Sequence, residues 1–270
     1  MMLKQIQLVS AATLAFGLFA TPAQAASSLI IDGTLHKREG GTTFDVWKFE
    51  ILGTGTFTVD VAAYEASQSN VTTPGYFTND INGDGELTWL DADTYFYHDT
   101  GSIKTTDAIF RCDDVENNCG GDTGASNYFN DYTPETSPLT RSTHLQTETS
   151  VDGSVHFRRD PWYDVVVNTP GDYQFLIADF RLDPAEAVAG INTGDNFSAP
   201  AGGFVSPILD HADYRVTFSS TDMYISISGD TIILTPVPEP ENWAMLLAGL
   251  GFVGWRLSNQ AREKSSLTFA

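Results

Sequence analysis

Between residues 26 and 236 the apolar residues return at every second position. No long run returns at every third or fourth. Trp47, Phe49 and Ile51 alternate with polar neighbours, and so do Phe57, Val59 and Val61. The same pattern holds for Tyr163, Val165 and Val167, for Tyr173, Phe175 and Ile177, and for Tyr214, Val216 and Phe218. A period of two puts all the apolar side chains of a strand on one face and leaves the other to solvent. Gly and Pro separate the runs, at Leu52-Gly-Thr-Gly, at Thr169-Pro-Gly-Asp and in the loop from Asn192 to Gly203. Ile225 to Leu234 reads as two strands around a Gly229-Asp230 turn. Short alternating strands with turn signals predict an all-β chain folded as an antiparallel β-sandwich, jelly-roll-like, with polar residues outward.

Length and charge narrow the setting. With 270 residues, 41% of them hydrophobic, the chain can bury one sizeable core or two small ones. It carries 14 Lys and Arg against 35 Asp and Glu, a formal net charge of -21. Such a surface repels nucleic acid and anionic lipid headgroups, and it suits cations and solubility outside the cell.

Both ends read as addresses and not as fold. Residues 1–25 have a basic start at Lys4, a mostly apolar stretch from Leu8 to Ala20, and the small-x-small site Ala23-Gln24-Ala25. That order is a secretory signal peptide, with the mature chain starting near Ala26. Residues 237–270 begin Val237-Pro238-Glu239-Pro240. The apolar run Trp243 to Trp255 follows, and then Arg256. Thirteen apolar residues make a helix of about 20 Å, shorter than the ~20 residues of a comfortable membrane span. A base after the run marks the cytoplasmic side.

The segment Val237 to Arg256 resembles the PEP-CTERM sorting signal of exported Gram-negative bacterial proteins. The resemblance implies recognition at the inner membrane by an exosortase and cleavage near Pro-Glu-Pro. The product would belong to the envelope or exterior of bacteria that make biofilm and extracellular polysaccharide. The family closes with a tight cluster of bases, whereas here Arg256, Arg262 and Lys264 are spread out.

Residues 80–91 read Asp-Ile-Asn-Gly-Asp-Gly-Glu-Leu-Thr-Trp-Leu-Asp. This fits the twelve-residue calcium loop, whose ligands stand at positions 1, 3, 5, 7, 9 and 12. Asp80, Asn82 and Asp84 are the first three, and Gly85 takes the sharp turn. Glu86 would ligate through its backbone carbonyl, Thr88 through a water, and Asp91 would close the loop. Calcium is the cofactor this spacing expects, because a hard cation takes six to eight oxygens and alternate residues of a tight turn supply them. Asp91 stands where Glu is usual and reaches less far. The loop resembles one half of a dockerin, and no second copy is present. Asp93, Asp99 and Asp107 lie close enough in sequence to take part.

The strand order, from Phe-Asp-Val-Trp-Lys-Phe through Gly-Thr-Phe-Thr-Val-Asp-Val to Asp-Tyr-Gln-Phe-Leu-Ile, is similar to the pre-peptidase C-terminal-like sandwich domains of secreted bacterial proteins. That resemblance implies a binding or stabilising module without catalysis. Cys112 and Cys119 are the two cysteines. A reduced chain leaves them free, and an exported one joins them in an oxidising compartment.

The five histidines (His36, His98, His144, His156, His211) form no HExxH pattern, and no G-x-S-x-G elbow is present. Together these readings predict an exported, non-enzymatic, calcium-stabilised protein of the cell surface or biofilm matrix. It would be handled by an exosortase and be transiently at the inner membrane. A carbohydrate-binding module is the second reading, with Trp89, Trp162 and Tyr128 as candidate sugar-facing aromatics. A polysaccharide hydrolase working through two carboxylates is the third.

Overall fold

The computed structural model describes residues 27–65, 80–113, 137–144, 160–193, 197, 210–238 and 245–257. The chain divides into two units, one of which is Ala26–Pro236. The predicted signal peptide lies outside the described residues. So do Tyr128, His156, Glu239 and Pro240.

Among the described residues, thirteen strands form two sheets that share one core. They are β1 (Ser27–Arg38), β2 (Gly41–Thr42), β3 (Asp45–Ile51), β4 (Gly55–Ala62), β5 (Asp93–His98), β6 (Ala108–Cys112) and β7 (Leu139–Thr143). After these come β8 (Trp162–Val167), β9 (Gly171–Ala178), β10 (Asn192–Thr193), β11 (His211–Ser220), β12 (Met223–Ser228) and β13 (Thr231–Pro236). One sheet has the order β10-β2-β1-β11-β4-β8-β7, and the other has β12-β13-β3-β9-β5-β6.

The alternating residues face inward as their period requires. Phe57, Val59 and Val61 on β4, Val165 and Val167 on β8, and Val216 and Phe218 on β11 meet Phe49, Phe175 and Ile232 from the opposite sheet. Phe49 is the hub. Its ring lies 6.0 Å from Phe57, 5.6 Å from Phe96, 6.1 Å from Phe175 and 5.2 Å from Phe218. These offset and edge-on arrangements are the favoured ones for aromatic pairs.

The pairing departs from expectation at one place. β13 runs parallel to β3, with Ile232 opposite Phe49, so the sheets are not wholly antiparallel. Among the described residues a 3-10 turn at Thr105–Asp107 and a short helix at Pro184–Ala189 also interrupt the strands. The helix has Pro184 in its first turn and a capping box formed by Asp183 and Glu186. Leu182 and Ala187 pack with Tyr95, Tyr97 and Leu176, the outer face of the second sheet, into a smaller second cluster.

The connection from β4 to β5 carries the chain from one sheet to the other, and residues 80–92 belong to it. An isolated bridge between Tyr64 and Trp89 ties its two described ends together.

Candidate metal centre

The first half of the Asp80–Asp91 loop winds around the Asp80 carboxylate. Gly83 and Gly85 have φ of +78° and +88°, the left-handed conformation that a side chain rarely adopts. This turns three successive amides inward. Asp80 Oδ1 accepts the N–H of Gly83 (2.5 Å) and of Asp84 (3.1 Å), and Oδ2 accepts that of Gly85 (2.7 Å). Asn82 Oδ1 accepts the Asp84 amide at 3.1 Å, and Asn82 Nδ2 donates to Asp84 Oδ2 at 2.9 Å. Asp84 Oδ1 accepts the Glu86 amide at 2.8 Å, and that bond first of all holds the Asp84 carboxyl below its usual range. Asp80, Asn82 and Asp84 are thereby linked by hydrogen bonds within the turn. Their donors, two carboxylates and an amide, have the chemistry a hard cation takes.

The second half of the loop goes elsewhere. The Glu86 carboxylate pairs with His211 Nε2 at 3.1 Å, and His211 Nδ1 lies 2.9 Å from Asp210. Thr88 is buried, and its hydroxyl donates to Glu65 Oε2 at 3.0 Å while accepting the Asp213 amide at 2.8 Å. Leu90 lies in the main core. The Asp91 amide donates to the Asp179 carboxylate. Among the described residues no three His, Cys, Asp or Glu side chains converge where they could hold a metal, so Asp91 does not complete such a group with Asp80 and Asp84. The twelfth-position rule assumes that a helix starts at position nine and swings the last carboxylate back over the loop. Here residues 86–92 run on without a helix into β5, and Asp91 is carried away.

Glu65 is the residue that sequence reasoning missed. It is 2% exposed and spans the loop from outside. Oε1 accepts the Ile81 amide at 2.5 Å, and Oε2 accepts the Thr88 amide at 2.6 Å as well as its hydroxyl. Burial pushes its carboxyl above the usual range. The Ile81 and Thr88 bonds oppose that shift, and the charge of Asp213 adds to it. Glu65 stands fifteen residues before the loop, and no spacing rule connects the two.

The other acidic candidates serve separate contacts. Asp93 is fully buried, and its Oδ2 accepts from Tyr95 Oη (2.5 Å), Arg111 Nε (2.6 Å) and the Arg181 amide (3.1 Å). Arg111 also reaches Asp113 at 2.7 Å. Asp99 accepts from Gly101 and Gln174, and Asp107 from Thr100. The histidines, scattered in sequence, gain one neighbour through strand register. β1 and β11 place His36 opposite His211, with ring centroids 6.3 Å apart.

Trp89 and Trp162 are buried, and Trp162 stacks on His144 at 4.1 Å. Cys112 is buried at the end of β6 and has no free thiol. Cys119 lies outside the described residues.

Of the sorting segment, Val237 and Pro238 precede a helix at residues 245–257, which includes Arg256. Every residue of that helix is exposed, among them Met245, Leu246, Leu247, Leu250, Phe252, Val253 and Trp255. No helix among the described residues is long and apolar enough to cross a membrane.

The chain matches no protein-family model, and no curated protein and no solved structure matches it.

Proposed function

We propose that this is an exported, non-catalytic protein of the bacterial cell surface or extracellular matrix, delivered by exosortase processing of its Val237–Arg256 segment. The observation that carries the reading is the helix at 245–257. It is apolar on nearly all sides and exposed on all of them. A helix hydrophobic all round belongs in a protein core or in lipid. Thirteen residues fit a brief stay at the inner membrane better than a permanent span. Pro238 and the Glu239-Pro240 that follows keep the backbone ahead of the helix extended, open to a protease.

The sandwich is the delivered part. Its two sheets suit a jelly-roll-like binding module of the pre-peptidase C-terminal-like kind, with the signal peptide and the tail helix flanking it. Calcium bound on the Asp80-Asn82-Asp84 arc, with the Glu86 carbonyl, would brace the β4–β5 connection. The buried positions of Trp89 and Trp162 favour this reading over a sugar-stacking platform. Extracellular polysaccharide remains the partner that the matrix setting suggests.

Mass-spectrometric mapping of the C-terminus tests the sorting. Protein released by a host with an exosortase should end near Pro-Glu-Pro, and protein from a host lacking it should keep the Trp243–Arg256 segment and stay with membranes. Released material that still carries that segment refutes the proposal. For the arc, melting temperature should rise as calcium passes through about 0.1–1 mM, the range of extracellular sites. Asp84→Ala should remove that millimolar rise.

A further inference from the structure

The described basic side chains of the sandwich fall into two kinds, with one exception. Lys48, Lys104, Arg111 and Arg215 each meet an aspartate. Lys37, Arg38 and Arg181 are exposed, and water serves them. Arg141 has neither resource. It is half-buried on β7, and among the described residues its side chain forms no ion pair and no hydrogen bond. Its Nε is fully buried without a partner.

Strand period and sheet order account for its place. Leu139, two residues earlier on β7, is buried in the main core, and alternation turns Arg141 to the same side. β7 ends the first sheet and β6 ends the second. The guanidinium lies over the ring of Phe110 on β6, its carbon 4.6 Å from the ring centroid. The Tyr163 hydroxyl is bonded to Thr94 Oγ1 at 2.9 Å. Burial pushes the Arg141 pKa down to about 10, and Tyr163 opposes that shift, so the group stays charged at neutral pH.

An aromatic face attracts the cation but leaves its N–H donors without acceptors. A charge drawn out of water and left unpaired is costly, and weakly polar surroundings strengthen whatever partner it finds. That partner is an anion. The planar guanidinium fork matches a carboxylate, with two N–H bonds to two oxygens. No second base acts on Arg141 among the described residues, so the place offers one positive charge. A phosphate backbone asks for several, and the acidic chain repels multiply charged anions. We propose that Arg141, backed by Phe110 at the β6–β7 end of the sandwich, binds the carboxylate of a singly charged organic acid. That acid is a free small carboxylate or one uronic-acid unit of a saccharide, which present the same pair of oxygens. The site is separate from the Asp80-Asn82-Asp84 arc and does not depend on calcium or on processing of the tail.

The test titrates the exported protein, in EGTA, with sodium acetate, sodium glucuronate, glucose and inorganic phosphate, with chloride holding the ionic strength constant. The readouts are the Arg141 Nε–H signal in nitrogen-proton NMR spectra and the melting temperature. Acetate and glucuronate should shift that signal and raise the melting temperature, both to saturation, because a ligand of the native state alone stabilises it. Glucose should do neither. Saturation by glucuronate at lower concentration than by acetate assigns the uronic sugar, and saturation at equal concentrations assigns free small acids. Arg141→Lys keeps the charge but loses the fork, and should weaken the response about tenfold. Arg141→Met should abolish it while melting no lower than the unliganded wild type.

A wild type indifferent to both acids overturns the site. If Arg141→Met then self-associates, the arginine serves only as an inward charge that keeps an edge strand from pairing. Phosphate acting as strongly as the carboxylates would show an adventitious ion only, and would also overturn the proposal. Should Arg141→Met fail to fold, Arg141→Lys decides: an undiminished response to acetate and glucuronate in that variant removes the fork from the argument and the proposal with it.

Discussion

Glu65 Oε2 receives both protons that Thr88 can offer, the amide at 2.6 Å and the hydroxyl at 3.0 Å. With Oε1 on the Ile81 amide, one buried carboxylate holds together two points of the loop seven residues apart. Hydrogen bonds to a charged acceptor contribute about 1.5–3 kcal/mol each, and stranded buried donors cost about 1–3 kcal/mol. Glu65→Gln keeps one acceptor oxygen and should lower unfolding free energy by about 2–3 kcal/mol, read by urea denaturation in chelator. Amide exchange at Ile81 and Thr88 should quicken together. A variant as stable as wild type, with both amides still protected, would remove Glu65 from the role assigned to it.

Asp93 gives a pH dependence of definite sign. Its carboxyl is pushed up to about 7 by burial; Arg111 pulls it down and Asp113 raises it further. In the unfolded chain it titrates near 3.8, the ordinary value for an aspartate. Between those two values the native state holds a proton that the unfolded state has released. The unfolding free energy contributed by this group therefore falls as pH rises from about 4 to about 7. Asp93→Asn should remove that slope, so the denaturation midpoints of wild type and variant should diverge as pH rises, whatever their difference at pH 4. Parallel midpoints from pH 4 to 8, both measured in chelator, would show that Asp93 does not titrate in this window.

The core makes a plainer demand. Phe49 touches aromatic rings from both sheets, so its loss opens a cavity that no single strand can close. Phe49→Ala should cost about 3–5 kcal/mol. Val46→Ala, on the exposed side of the same strand, should stay within about 0.5 kcal/mol.

Cys112 ends β6, and the segment after it includes Asp114 and Glu116. A bond to Cys119 closes a loop of about eight residues. In the chain-entropy account this stabilises by about 2.5 kcal/mol. Intact-mass measurement on periplasmic protein, alkylated with and without prior reduction, should find no free thiol before reduction and two after it. Two alkylated cysteines in the unreduced sample would exclude the bond.

Legibility in the sequence followed the physics of each element. β3, β4, β8, β9 and β11 could be read because their inward residues alternate with polar ones. β5 could not, because Asp93 to Tyr97 are buried on both faces, with the core on one side and the Pro184–Ala189 helix cluster on the other. That helix has six residues, too few to show a period. β1 was hidden by Gly33, which stands where the alternation calls for an apolar side chain. The Tyr214 ring fills that place, and a Cβ on Gly33 would come within 2.3 Å of it. The parallel β13–β3 pairing leaves no local mark at all. In the loop, Asp80, Asn82 and Asp84 were legible because their geometry is local. Glu65 and the Asp91–Asp179 contact were not, because the fold alone brings those residues together.

The tail should be dispensable to the sandwich. The compact unit ends at Pro236. Deleting residues 239–270 should therefore leave the urea midpoint and the calcium response of the exported domain unchanged. It should also abolish membrane association in a host without exosortase. Each buried large apolar side chain contributes about 1.5–3 kcal/mol to transfer out of water, so Leu246, Leu247, Leu250, Phe252 and Trp255 suffice to hold the intact tail in a bilayer. Replacing Leu247 and Leu250 by Asp should release the full-length chain from membranes in that host without moving the midpoint. A midpoint lowered by the deletion would mean that the tail supports the sandwich and is more than an address. Fractionation of the double-Asp variant with the membranes would show that something other than the apolar helix anchors it.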